Sequence, residues 1–203
     1  MDIRDENGIA IDINTVEKRE QDLAQQYIEE GDTVLELGAR YGSVSCVTNS
    51  KLKCKTNHVV VEPDARVWDA LERNKNANNC GFHIIKGFVS SKKLGLTYKS
   101  DAYATTFKED TSSNIPSYSL EEIEAKYNLK FNVLVADCEG FLGVFFKENP
   151  SLYDSLRMIT FETDGQDSHP ECDYEEIEYN LFTRGFVPVV EGAHSLWLRS
   201  ENI

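Results

Sequence analysis

The sequence predicts an α/β fold, a mostly parallel sheet covered by helices and finished by a C-terminal antiparallel hairpin. Three observations predict it. Short apolar, β-branched runs alternate with segments of helical periodicity along most of the chain, the pattern of a parallel sheet. Two early runs end in chemically distinctive residues: Thr33 to Glu36 in a turn with Gly38 and Gly42, and Val59 to Val61 in Glu62. The last two runs, Phe186 to Val190 and His194 to Arg199, are joined only by Glu191, Gly192 and Ala193, which makes them a hairpin.

Taken in order, residues 1–13 read as a polar lead-in with a strand at Ile9 to Ile13. Asn14 and Glu17 form an N-x-x-E helix start. Val16, Leu23, Ala24, Tyr27 and Ile28 then share one helical face, and Gly31 closes the helix. Its Glu17 to Glu20 edge reads as a solvated charged face. The first strand follows, then the glycine turn, and Ser43 to Ser50 continue as a helix. After a basic loop at 51–57, the second strand ends at Glu62, and Pro63 opens the next helix because no N–H is needed there. Val67, Trp68 and Leu71 give that helix its face, and Asn78 and Asn79 end it. His83 to Lys86 is a third strand, leading through Gly87 to Phe88, Val89 and Ser90, where an adenine ring can be met.

Leu94 to Tyr98 and Tyr103 to Phe107 read as a hairpin, followed by a mobile Thr-, Ser- and Asn-rich loop to Pro116. Ser119 to Glu122 is a capping box for a helix ending near Asn128. Phe131 to Ala136 is a buried strand ending at Asp137, Cys138, Glu139 and Gly140. A helix near Leu142 to Lys147 stops at Asn149 and Pro150. Met158 to Phe161 is a strand ending at Glu162, Thr163 and Asp164. Asp173 to Glu176 starts the last helix, which stops at Gly185. Pro188 cannot donate to a ladder, so its strand belongs at the sheet edge.

The 203 residues suit one domain with a single sizeable core. A net charge of −14 argues against nucleic acid and anionic lipid as partners. The five cysteines are odd in number, widely spaced and without C-x-x-C, so reduced thiols in a cytoplasmic compartment are expected. The acidic start is no signal peptide, and no apolar run approaches membrane-spanning length, so no membrane insertion is expected. The compact length and bare start are compatible with a piece of a longer glycan-modifying polypeptide.

The glycines define the ligand by exclusion. A dinucleotide fingerprint needs a second glycine where Arg40 stands, and no phosphate loop occurs. Strand, glycine turn, helix and acid-ended strand therefore suit a nucleoside without a phosphate chain. S-adenosylmethionine (SAM) is the commonest such ligand, with Glu62 on the ribose hydroxyls.

With these strand ends in place, the chain resembles a class I SAM-dependent methyltransferase, and more narrowly the FkbM family. The family's D/E-x-G-A-N-x-G is matched by Glu36, Gly38, Ala39 and Gly42, with Arg40 in place of Asn. Its E-P-D/N is matched by Glu62, Pro63 and Asp64. Its K-x-D-x-E-G is matched by Asp137, Glu139 and Gly140, with Val135 in place of Lys. Phe161 with Glu162, and Leu181, Gly185 and Phe186, match two later motifs. The similarity spans roughly residues 14–199. It implies a Rossmann-like class I methyltransferase fold with strand order 3-2-1-4-5-7-6. It also implies O-methylation, often of sugar hydroxyls. The candidate SAM contacts are Glu36, toward the amino group, with Gly38, Ala39, Tyr41, Gly42, Glu62, Pro63, Val89 and Asp137.

Methyl transfer to a hydroxyl needs an oriented oxygen and a base for its proton. Asp137 is the best-placed carboxylate, followed by Glu139 and Glu162. A second mechanism, not favoured, has Asp137, Glu162 and Asp164 hold Mg²⁺ or Mn²⁺. His169 and His194 are alternative bases. Tyr103, Phe107, Tyr118 and Tyr153 are candidates for a sugar-stacking wall. The acceptor is a small molecule or a glycan, read first as a sugar hydroxyl. A phenol or polyketide acceptor, and a non-catalytic SAM-binding module, are the alternatives.

Overall fold

A computed structural model describes residues 1–98, 105–163 and 172–202. Seven strands form the main sheet: β1 (Val34–Leu37), β2 (His58–Glu62), β3 (His83–Lys86), β8 (Val133–Ala136), β9 (Met158–Glu162), β10 (Phe186–Val190) and β11 (His194–Arg199). Between β3 and β8 lie two pairs outside that sheet. β4 (Phe88–Val89) pairs in parallel with β7 (Ser117–Tyr118), and β5 (Leu94–Tyr98) pairs antiparallel with β6 (Thr105–Glu109). The helices are α1 (Lys18–Tyr27), α2 (Ser43–Lys51), α3 (Trp68–Ala77), α4 (Leu120–Tyr127), α5 (Phe141–Glu148), α6 (Leu152–Ser155) and α7 (Tyr174–Thr183).

The main sheet runs β3-β2-β1-β8-β9-β11-β10. Counting only its own strands, this is the expected 3-2-1-4-5-7-6, with β10 and its Pro188 at the edge. β1 sits at the centre, parallel to β2 on one side and β8 on the other. The carboxyl ends of β2, β1, β8 and β9 therefore open side by side, where α/β sheets bind ligands.

Alternation builds a layer on each face. Leu35, Leu37, Leu134, Ala136, Ile159 and Phe161 point into one core with α5 and α7. Val34, Val133, Val135 and Met158 point into a second core with α1 and α2. Each fully buried side chain of this size stabilises by roughly 1.5–3 kcal/mol, so packing on both faces, more than propensity, holds such short strands. Val135 stands in this second core, 5% exposed. A lysine ammonium there would be cut off from water, which explains an apolar residue at that position.

Several boundaries differ from expectation. Ile9 to Ile13 is no strand; a single bridge, Arg4 to Ala10, is all that forms. α1 begins at Lys18, and Asn14 does not cap it; the turn before it is organised by the Asp12 carboxylate, which accepts from the Asn14 N–H at 3.0 Å. α3 begins at Trp68 and not at Pro63, because Asp64 and Arg66 occupy the intervening turn. The segment read as a mobile loop is tied down at its end, where the Phe88 N–H donates to the Pro116 carbonyl at 2.9 Å. The capping box at Ser119 and the cap at Asp173 form where expected.

Candidate active site

The turn after β1 owes its shape to three left-handed residues, Gly38 at φ 84°, Arg40 at 40° and Gly42 at 83°. At Gly38 the demand comes from the adjacent strand: a Cβ there would lie 1.6 Å from the Asp137 main-chain oxygen. Arg40 occupies a conformation that Asn tolerates better than most residues. The Arg40 N–H donates to Glu62 Oε2 at 2.7 Å, and the Asp64 N–H donates to Oε1 at 2.7 Å. These two bonds aim the Glu62 carboxylate at the end of β2. Each of its oxygens keeps a free lone pair. Burial pushes the Glu62 carboxyl up to about 7 against the two N–H groups that lower it.

Beside this turn lies a cleft of about 780 Å³. Leu37, Gly38, Glu62, Pro63, Asp137, Glu139 and Glu162 line it, so the expected strand-end residues are brought together. One end is apolar. Phe107 packs edge-on against Phe141 with ring centroids 5.2 Å apart, and Phe88 lies 5.8 Å from the same ring. Leu96, Thr105 and Phe107 bring the β5–β6 hairpin over this end. The hairpin is held by Arg66, which pairs with Asp64 at 2.6 Å and stacks on the Tyr98 ring at 3.9 Å.

The other end is acidic. Asp137 stands at the end of β8, and its carboxyl is raised well above the usual carboxylate range, first by burial and then by the charge of Glu162 and Glu17. Glu17 and Glu20, read from sequence as a solvated face, line the cleft instead. The reason is the position of α1, which packs across α2 and brings its first turn over the sheet edge. Glu17 accepts a hydrogen bond from the Ser43 hydroxyl. Burial, with Glu20 and Glu36 as like charges, pushes its carboxyl from 4.5 to about 8.

An acid whose pKa is raised by folding stabilises the protein fully below its unfolded value and loses that contribution as pH rises through its folded value. For Glu17 that window runs from 4.5 to about 8. Glu62 acts in the same sense. The unfolding midpoint of the ligand-free protein is therefore expected to fall between roughly pH 5 and pH 9. Glu17→Gln, read by urea denaturation across this range, should flatten the fall. It should also gain on the order of 2 kcal/mol at the alkaline end, after allowance for partial exposure. Equal slopes in the two proteins would show that Glu17 does not carry the effect.

Other expected cofactor residues are off the lining of this cleft. Glu36 is 1% exposed beneath the turn, where its carboxylate accepts from the Ser45 hydroxyl and lies 3.0 Å from His58 Nε2. It braces the turn from below and is not on the lining of the large cleft. Ala39 shares a small pocket with it. Tyr41 is buried, its hydroxyl donates to Glu6, and its carbonyl accepts from the Asn74 side chain at 2.9 Å, so it anchors the amino-terminal segment. Gly42 precedes α2 as its N-cap and packs toward Leu71. Val89 is fully buried, and its neighbour Phe88 faces the cleft in its place.

Of the proposed aromatic wall, Phe107 lines the cleft. Tyr153 is buried and stacks on Phe146 at 3.9 Å, a core role. Tyr118 pairs through β7 with β4 and is not part of the lining. Tyr103, Asp164 and His169 lie outside the described residues. None of the five cysteines is in a disulfide. Among the described residues no helix is long and apolar enough to cross a membrane.

Solved structures share this arrangement. A candidate rRNA methylase from Clostridium thermocellum matches with a TM-score of 0.55 at 11% identity, covering 89% of this chain and 92% of its own. A precorrin-6y C5,15-methyltransferase from Geobacter metallireducens matches with a TM-score of 0.53 at 8% identity, covering 87% and 84%. A candidate tRNA (m1A22) methyltransferase from Streptococcus pneumoniae, solved in complex with S-adenosyl-L-methionine, matches with a TM-score of 0.52 at 12% identity, covering 89% and 72%. Neither a protein-family profile nor a curated protein sequence matches the chain. At such identities the likeness is one of fold.

Proposed function

From a chain that has the Rossmann-like class I methyltransferase fold, we propose a SAM-dependent O-methyltransferase that acts on a sugar hydroxyl of a glycan or glycoconjugate. The observation that carries this reading is the Glu62 carboxylate, aimed by two backbone N–H groups into a cleft shared with Asp137. Its free lone pairs suit the two hydroxyls of a ribose. The apolar end formed by Phe88, Phe107 and Phe141 suits an adenine ring.

Charge supports the same ligand. The described lining carries eight carboxylates against three Lys and Arg side chains. Such a surface repels a phosphate chain and favours a ligand with net positive charge, as SAM has. Bound in this cleft, its sulfonium supplies an electrophilic methyl group. The chain's own part is positioning and proton removal. Asp137 takes the proton of the acceptor hydroxyl, and burial beside Glu162 and Glu17 makes its carboxylate a stronger base than an ordinary aspartate. Glu139, on the same lining, is placed to orient the acceptor. The sugar hydroxyl as acceptor is supported by the FkbM-like motifs at Glu36 to Gly42, Glu62 to Asp64 and Asp137 to Gly140.

Calorimetric titration with SAM and with S-adenosylhomocysteine tests the cofactor. Glu62→Gln preserves volume and one acceptor oxygen, and is expected to weaken SAM binding by about 10–100-fold, the worth of a hydrogen bond to a charged group. Wild-type protein that binds neither compound at millimolar concentration would remove the proposal. Labelled-methyl transfer to a panel of monosaccharide glycosides and phenols tests the acceptor, and transfer to phenols alone would overturn the sugar assignment.

A further inference from the structure

We infer that Glu20, Glu162 and His194 form a binding site for one divalent first-row transition-metal ion, such as Mn²⁺ or Zn²⁺, at the acidic end of the cleft. Three separate elements build it. Glu162 ends β9 and His194 begins β11, and the two are direct partners in the antiparallel register. Such partners project from the same face with their Cβ atoms about 4.5–5.5 Å apart. Glu20 comes from the first turn of α1. One ligand atom from each residue lies within 4.8 Å of the other two.

The histidine supplies the second observation. Its Nδ1 is buried, and although Glu20 Oε1 is 3.3 Å away, the geometry makes no hydrogen bond among the described residues. A buried ring nitrogen 3.3 Å from one carboxylate without a directed bond, in a residue whose ligand atom lies within 4.8 Å of a second, is placed as a ligand would be. Metal–ligand bonds of about 2.0–2.2 Å put neighbouring donors about 3.0–3.5 Å apart. Small side-chain rotations close the observed triangle to that size. The turn beneath His194 is fixed, because the Thr163 hydroxyl donates to the Gly192 carbonyl at 3.0 Å.

The donor set selects the ion. One imidazole with two carboxylates suits Mn²⁺, Fe²⁺ or Zn²⁺, whereas Mg²⁺ and Ca²⁺ favour oxygen ligands throughout. Three protein donors leave coordination positions open. Asp137 lies beside Glu162 on the same lining. If the transferase reading holds, an acceptor hydroxyl bound at an open position loses its proton more readily. That proton passes to Asp137, the hydroxyl oxygen forms the new C–O bond, and the S–C bond breaks to leave a neutral thioether. The ion's role in transfer rests on the proposed function, but the site itself does not.

The experiment uses the full chain, stripped with EDTA and free of SAM, titrated calorimetrically with MnCl₂ and with ZnCl₂, and with MgCl₂ as comparison. One Mn²⁺ or Zn²⁺ per chain is expected, with Mg²⁺ weaker. Glu20→Gln and His194→Gln should each weaken Mn²⁺ binding by about tenfold or more. Pulsed EPR of bound Mn²⁺ should show coupling to an imidazole nitrogen that His194→Gln abolishes. Mn²⁺ should raise the unfolding temperature of the wild type and not of the variants, whose metal-free melts confirm folding. Absence of Mn²⁺ and Zn²⁺ binding at millimolar concentration would overturn the site, as would binding untouched by both variants. Because no SAM or acceptor is present, failure here leaves the methyltransferase proposal standing, and the converse also holds.

Discussion

Asp137→Asn is expected to lower methyl transfer by about a thousandfold, within the range for loss of a general base, while SAM affinity stays within about threefold. Asparagine keeps the size of the side chain but cannot take up a proton. The position gives the carboxylate its reach. It follows β8, the strand directly beside β1, and the Asp137 N–H donates to the Leu37 carbonyl at 3.0 Å, so the residue is registered to the glycine turn. Burial and the neighbouring acids hold its proton to a higher pH than an ordinary aspartate. The rate should accordingly rise with pH through a limb well above the usual carboxylate range. Single-turnover transfer measured beside calorimetric SAM binding separates the two quantities. An Asn variant with wild-type turnover would show that Asp137 is not the base, and parallel loss of SAM affinity would make it a binding residue.

Gly38→Ala is expected to cost about 3–5 kcal/mol of folding stability, in the range of severe overpacking with backbone strain. Its φ of 84° is left-handed, and the added Cβ would meet the Asp137 main-chain oxygen at 1.6 Å. Neither atom can rotate away, since both belong to backbone held by neighbouring parallel strands. Gly185 is the internal comparison. Its φ of 83° is nearly the same, but the nearest atom to a Cβ there is Ser200 Oγ at 3.9 Å. Gly185→Ala should therefore lose only the conformational part, about 1 kcal/mol. Urea midpoints at unchanged slope measure both. Equal losses at the two glycines would show that crowding by the Asp137 carbonyl is not what selects glycine after β1.

The aspartate and the glycine also show how far the primary structure was legible. Each buried parallel strand reads as a short apolar run because both faces are covered. The residue ending each run is then automatically at the carboxyl edge, which is how Glu62, Asp137 and Glu162 were found. The start of α1 was misread at Asn14 because an N-x-x-E pattern arises by chance, while a competing Asx turn at Asp12 takes the same backbone donors. Pro63 misled in the same way, since proline is equally at home in an extended strand exit and at a helix start. Glu36 carries the motif's acid, but nothing local reveals that Ser45 and His58 engage it from below.

The order of apolar runs, glycines and acids by itself determined that this chain makes a mostly parallel sheet with a crevice at the ends of its central strands. Local patterning suffices for that, because strand period and turn chemistry depend on near neighbours. Only the folded chain decided which acids share the crevice: Glu17 and Glu20 swing in with α1, and register sets His194 opposite Glu162. Residues this far apart meet through packing of whole elements, and the resulting burial and mutual repulsion, absent from any local window, raise the carboxyls of Glu17 and Asp137.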